Sequence, residues 1–338
     1  MTAEFDEFRM GNLHGLRSAK SFHKSWPSLR AAIELRLSES PTGEEIYALG
    51  DQLSNIFRSV RPDATVVDGV EIQNIAWERS QKDVSSGGST WECLVVWYLN
   101  LVLYGTDVIA VKRKKSNSPT VLTDAISVTL GGHSTTTEAD VLVYSVPSLG
   151  TIAGTRLSVE ILNKLIAAQA SDCVLAVIQC KTNWNDNAQI PMLWDMIYQA
   201  SSSSASGNVK VGRNGVSPRA FRNKSIKYAF MTVPTNTRDV KLQKSVAVTR
   251  VVNLSGGNYW GHPTESGVAS GFSEFAVRNF SEFFSGSVQN HIDSQLAANP
   301  KLIDRFLSLD FEAISSLPRP SASQKTKQAL ESSSPKLF

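Results

Sequence analysis

Two stretches of this chain are apolar at nearly every position and turn polar only at their ends: residues 139–146 (ADVLVYSV) and 173–181 (CVLAVIQCK). Such runs, rich in Val, Ile and Leu, predict strands covered on both faces. Residues 107–111, 121–130, 226–233 and 245–254 predict further strands. Apolar positions at helical spacing predict helices elsewhere. Leu29, Ala32, Ile33 and Leu37 share one face, and Ile46, Leu49, Leu53 and Ile56 another, with a Ser-Pro-Thr-Gly turn at 40–43 between them. Residues 158–170 and 191–200 predict two more helices. After a loop at 82–89, Ser89-Thr90-Trp91-Glu92 has capping-box spacing and leads into CLVVWYLNLVLY, which Gly105 ends. That helix is apolar almost all round, so it should pack against a sheet.

Strands alternating with helices predict an α/β fold with a central mixed β-sheet flanked by helices. The expected organisation is an N-terminal helical segment over 1–85 and a catalytic and recognition domain over 86–317. Residues 201–220, rich in Ser and Gly, read as a mobile loop, and 318–338, rich in Ser and Pro, as a disordered tail.

Composition narrows the function classes. With 338 residues the chain can bury a large core, and 19% charged and 41% hydrophobic residues are ordinary for a globular protein. A net charge of +3 permits a nucleic-acid partner without demanding one. Three cysteines without CxxC spacing argue against a disulfide framework or a zinc site and fit a reducing compartment. The acidic N-terminus lacks an apolar signal core, and the longest apolar run is too short to cross a bilayer. The expectation is a soluble intracellular protein with no membrane partner and no organic cofactor.

The chemistry lies where the two strongest strands turn polar. Asp140 opens the first, and Gln179-Cys180-Lys181 closes the second. Alternation puts Gln179 and Lys181 on one face and turns Cys180 into the packing. If the strands are neighbours, a carboxylate, an amide oxygen and an ammonium meet at one sheet end. Such a cluster is costly beside a core unless it binds something.

Glu138-Ala139-Asp140 followed by Val177-Ile178-Gln179-Cys180-Lys181 resembles the signature of the PD-(D/E)XK nucleases over roughly residues 86–235. Glutamine replaces the second acidic residue, as in the Mrr-like branch and some restriction enzymes, and no proline precedes Asp140. The resemblance implies a restriction-endonuclease-like core and a bacterial, cytoplasmic type II restriction enzyme. It would act as a homodimer on double-stranded DNA, with Mg²⁺ as cofactor, leaving 5′-phosphate ends. It implies catalytic roles for Asp140, Gln179 and Lys181, with Glu92 matching the glutamate on the family's upstream helix. Asp140 and the Cys180 backbone carbonyl would hold the metal, and Asp195, fourteen positions after the lysine, would replace the missing carboxylate.

Asn183, Asn185, Asp186, Asn187 and Gln189 follow the lysine, and such side chains read base edges. The segment 255–265, with Tyr259, Trp260 and His262, is a second recognition candidate. Lys112–Lys115 is a solvated loop or a phosphate contact. On the residues alone, other readings stay open: Asp140 as a strand cap, Glu92 as a helix cap, Asp195 as a surface residue, and a Cys180–His262 thiol hydrolase. A modification-dependent or repair nuclease of the same fold, and a non-catalytic DNA-binding protein with a degenerate site, are the alternative functions.

Overall fold

In the structure, a computed structural model, residues 3–60, 64–67, 70–73, 81–135, 139–147, 156–184, 209–222, 224, 226–234, 259–260 and 271–309 are described. The N-terminal segment is α1 (Ala3–Gly15), α2 (Lys20–Glu34) and α3 (Gly43–Ser59), followed by a hairpin of β1 (Ala64–Val67) and β2 (Val70–Gln73). Then come α4 (Gln81–Val102), β3 (Val108–Lys112), α5 (Thr120–Ala125), β4 (Val128–Leu130) and β5 (His133–Thr135). β6 (Val141–Ser145), α6 (Val159–Ala168), β7 (Leu175–Trp184), β8 (Val209–Val211), β9 (Lys227–Pro234) and β10 (Tyr259–Trp260) follow. The last helices are α7 (Glu274–Phe280), α8 (Val288–Ala298) and α9 (Leu302–Ser308).

The apolar strands pair as a mixed sheet in the order β3-β6-β7-β9, with the two-residue β10 beyond β9. The β3–β6 and β6–β7 pairs are antiparallel, and the β7–β9 pair is parallel. A smaller antiparallel sheet has the order β5-β4-β8. Alternation splits the main sheet's side chains cleanly. Val108, Ala110, Val141, Val143, Ala176, Ile178, Ala229 and Met231 pack toward α4. Ile109, Val111, Leu142, Tyr144, Leu175, Val177, Tyr228 and Phe230 pack on the opposite side, with residues of α5 and α6.

α4 is apolar all round because it is covered all round, by the sheet on one side and by helices from both ends of the sequence on the other. Trp26 Nε1 donates to Leu307 O (3.2 Å) and Trp97 Nε1 to Phe306 O (2.9 Å), tying α2 and α4 to the end of α9. Gly50 lets α3 approach α4 closely, since a Cβ there would collide with the Tyr98 hydroxyl, which donates to Tyr47 O (2.9 Å). Gly105, at φ 82°, takes the left-handed turn after α4 that favours glycine.

β3 stands at a sheet edge, and side chains supply its missing partners. Asn100 Nδ2 donates to Ala110 O (2.7 Å), and Asn100 Oδ1 accepts from Ala110 N (3.2 Å). Arg9 donates to Val108 O (2.9 Å) and Thr106 O (2.7 Å), and Thr106 Oγ1 accepts from Val108 N (3.3 Å). A strand edge that would otherwise invite another chain is thereby closed from within.

Three sequence expectations are corrected. The 82–89 stretch is helical, part of an α4 that starts at Gln81, so Ser89 is not an N-cap and Glu92 not its capping-box partner. Residues 121–130 divide into α5 and β4 rather than one strand, because Pro119 opens a helical turn that runs to Ala125. Within 201–220, residues 209–220 carry β8 and a 3-10 turn at Pro218–Ala220. Arg213 Nε (2.6 Å) and Asn214 Nδ2 (2.9 Å) anchor that segment on the Asp124 carboxylate. The expected helix at 191–200, strand at 245–254 and tail at 318–338 lie outside the described residues.

Candidate active site at the sheet end

The register places Lys112, Val141, Ile178 and Ala229 across one end of the sheet. Asp140 sits one residue before β6. Its backbone N–H donates to Ile178 O (3.1 Å), its carbonyl accepts from Arg113 N (2.9 Å), and its Oδ2 accepts from Cys180 N (2.8 Å). The carboxylate thus takes over where the β6–β7 ladder stops, next to Lys181. Counting by twos from Leu142 and Tyr144, Asp140 belongs to the same sheet face as Gln179 and Lys181. Lys181 is half-buried, and its register partner on β9 is Thr232. Thr232 Oγ1 is buried and has no hydrogen-bond partner among the described residues.

Gln179 is fully buried, and its Oε1 accepts a bond from the Tyr228 hydroxyl (3.0 Å), itself only 1% exposed. That oxygen is bonded across to β9, while Gln179 itself follows Ile178, the register partner of Val141, and so shares the sheet end with Asp140. Cys180 points toward α4, as alternation predicts, and is 7% exposed. Burial holds its thiol well above the usual range. The Asp140 and Glu92 charges push the same way, and Lys112 and Lys181 oppose them. A thiol kept protonated is a poor nucleophile, which removes the support for a Cys180 hydrolase. The charges of Asp140, Glu92, Lys112 and Lys181 thus all act on one buried thiol.

Glu92 reaches this sheet end from α4. Its Oε2 lies 2.7 Å from Lys112 Nζ, with the two side chains 20% and 12% exposed. Lys112 Nζ also donates to Ser89 Oγ (2.6 Å), so the turn of α4 just before Glu92 supplies a partner to the pair. Arg113 flanks Asp140. Burial pulls its guanidinium below the ordinary value, and Asp140 works against that shift.

Tyr228 and Thr232 are residues of this candidate site that the sequence alone does not single out. Lys112, expected within the basic run Lys112–Lys115 as a solvated loop or a phosphate contact, instead ends β3 with its ammonium largely buried against Glu92. Lys112 had a signal: it closes the apolar run DVIAVK as Lys181 closes CVLAVIQCK. Tyr228 and Thr232 had none, being polar tips within an apolar strand. Asn185, Asp186, Asn187, Gln189, Asp195 and His262 lie outside the described residues, as do the side chains of Asn183, Tyr259 and Trp260. Among the described residues, no three His, Cys, Asp or Glu side chains gather to hold a metal ion. No described helix is long and apolar enough to cross a membrane. Compared with known proteins, the chain matches no family model, no curated protein and no solved structure.

Proposed function

We propose that this chain is a DNA endonuclease of the PD-(D/E)XK type, acting on double-stranded DNA as a type II restriction enzyme. The observation that carries the reading is the Asp140 Oδ2 to Cys180 N bond, which sets a carboxylate beside Lys181 at the shared end of β6 and β7. The order of elements supports it: an apolar helix, α4, an antiparallel meander of β3, β6 and β7, then the parallel β9. Glu92 adds a carboxylate from the helix at the same end.

The Asp140 carboxylate suits a hard divalent cation, which commonly takes one or two protein carboxylates and completes its shell with water and substrate phosphate. Glu92 approaches the same sheet end from the α4 face. When bound, Mg²⁺ supplies charge neutralisation at the phosphate and a lowered water pKa. The chain's own residues do the rest. Lys181 places positive charge beside the attacked phosphorus and orients the water for in-line attack, and Asp140 is held rigid by the Cys180 amide. Glu92 takes part by releasing Lys112, whose ammonium then faces the negative charge that develops on the phosphate oxygens. A homodimer matches a palindromic duplex and cuts both strands.

The test is digestion of plasmid DNA with Mg²⁺ and with EDTA. Discrete fragments should form with Mg²⁺ alone, and Lys181→Ala should abolish cutting while retaining duplex binding. Cutting that survives in Lys181→Ala would refute the assignment. The second reading, a DNA-binding protein that does not cut, is favoured by the inward bond of Gln179 to Tyr228, and it expects binding without fragments in the same digest.

A further inference from the structure

Residues 8–33 and residues 108–123 carry no acidic side chain. They are far apart in the chain and meet in space, where Lys114 Nζ donates to Ser18 Oγ (3.2 Å) at the corner between α1 and α2. On one side of this meeting point lie Arg17, Lys20, His23 and Lys24, and on the other Lys114 and Lys115. Lys20, His23, Lys24 and Lys115 are exposed, and Arg17 and Lys114 are half-buried. Lys20 and Lys24 stand one helical turn apart on a single face of α2, with His23 beside them. Among the described residues, Lys20, Lys24 and Lys115 form no ion pair, so their charge is not neutralised locally. The acidic residues of α1, Glu4, Asp6 and Glu7, lie at its opposite end.

The basic corner is continuous with the candidate site. Lys114 follows Arg113, whose N–H donates to the Asp140 carbonyl. A polyanion lying along α2 and across the β3–α5 turn therefore arrives at Asp140 and Lys181. We propose that this corner is a track for the sugar-phosphate backbone of duplex DNA, with Arg17, Lys20 and Lys24 each neutralising a phosphate. The helical N-terminal segment then belongs to the substrate-binding surface. The choice of DNA as the polyanion rests on the nuclease reading above. The charge is the kind that fixes position and affinity without reading sequence.

Removing a cation that neutralises a phosphate lowers the salt dependence of binding, by about 0.9 in the slope of log K against log salt for each phosphate left uncovered. The test measures fluorescence anisotropy of a labelled duplex in EDTA across a salt series. It compares the wild-type chain with a triple variant carrying Arg17→Gln, Lys20→Gln and Lys24→Gln. A second variant, Lys20→Glu with Lys24→Glu, guards against a fold defect, and circular dichroism checks both. The slope should fall by about 2 to 3 in the triple variant, and binding should weaken further on charge reversal. An unchanged slope in both variants overturns the track, as does a wild-type chain that prefers duplex RNA or anionic vesicles to duplex DNA. A plasmid digest run alongside separates the two ideas. If the wild type never cuts but the slopes differ as expected, the hydrolytic reading fails and the track stands. If it cuts and the slopes are equal, the reverse holds.

Discussion

Asn100 offers the sharpest test of how the helix that carries Glu92 is held to the sheet. It is fully buried in α4, and its side-chain amide both donates to and accepts from the backbone of Ala110 on β3. Asn100→Leu keeps the volume roughly constant and removes both bonds. The Ala110 N–H and C=O then lie at a closed sheet edge without partners, each costing about 1–3 kcal/mol. Leucine recovers part of this loss by removing a buried amide, so the net destabilisation should be about 2–4 kcal/mol. Against a typical total of about 5–15 kcal/mol, that is a large fraction. Urea denaturation measures it directly, with a lower midpoint and an unchanged slope. Amide hydrogen exchange gives an independent readout, because the Ala110 N–H should lose protection while the β6–β7 ladder keeps it. A variant within about 0.5 kcal/mol of wild type, with Ala110 still protected, would refute the edge-capping account.

Tyr228→Phe removes the hydroxyl donated to Gln179 Oε1 and should cost about 1–2 kcal/mol of stability, read by the same denaturation. The cysteines predict an alkaline limit. Burial pushes Cys93 up to about 11 and Cys173 up to about 12, from an ordinary value near 9. Above pH 9 the unfolded chain loses thiol protons that the folded chain keeps, so stability should fall as pH rises from 9 toward those values. Denaturation midpoints measured on both sides of pH 9 check the sign, and a midpoint that rises there contradicts the burial argument. Glu92→Gln leaves Lys112 without its carboxylate partner and should reduce Mg²⁺-dependent cleavage by more than about tenfold with the fold intact. Full activity in that variant would move the second carboxylate to Asp195.

Much of the sheet was legible because the central part of each main strand is apolar. Val141–Ser145 lies within its apolar run, β7 begins within 173–181 but continues three residues past it to Trp184, and alternation correctly turned Cys180 inward. The start of α4 was not legible. Ser85-Ser86-Gly87-Gly88 has the composition of a loop, and each glycine costs a helix about 1 kcal/mol relative to alanine. The helix nonetheless continues through them, with Ser89 bonded to Lys112 and the following turns buried. The 121–130 run misled for another reason, since a short apolar stretch fits either period and a proline decided the outcome. At the site, sequence spacing brought Asp140 and Lys181 to one sheet end. It carried no information that Gln179 would bond to a tyrosine on the neighbouring strand β9, because that pairing depends on the β7–β9 register.

The two indole bonds to the end of α9 also bear on how the molecule comes together. Trp26 and Leu307 are 281 residues apart, so that bond closes a very large loop, and such pairings form slowly. During synthesis, α2 and α3 can cover part of the outer side of α4, but the part that packs against α9 stays bare until residues 302–309 have left the ribosome. A nascent chain halted before that point presents Trp26 and Trp97 to its surroundings. That interval is when it is most prone to aggregate and most in need of a chaperone.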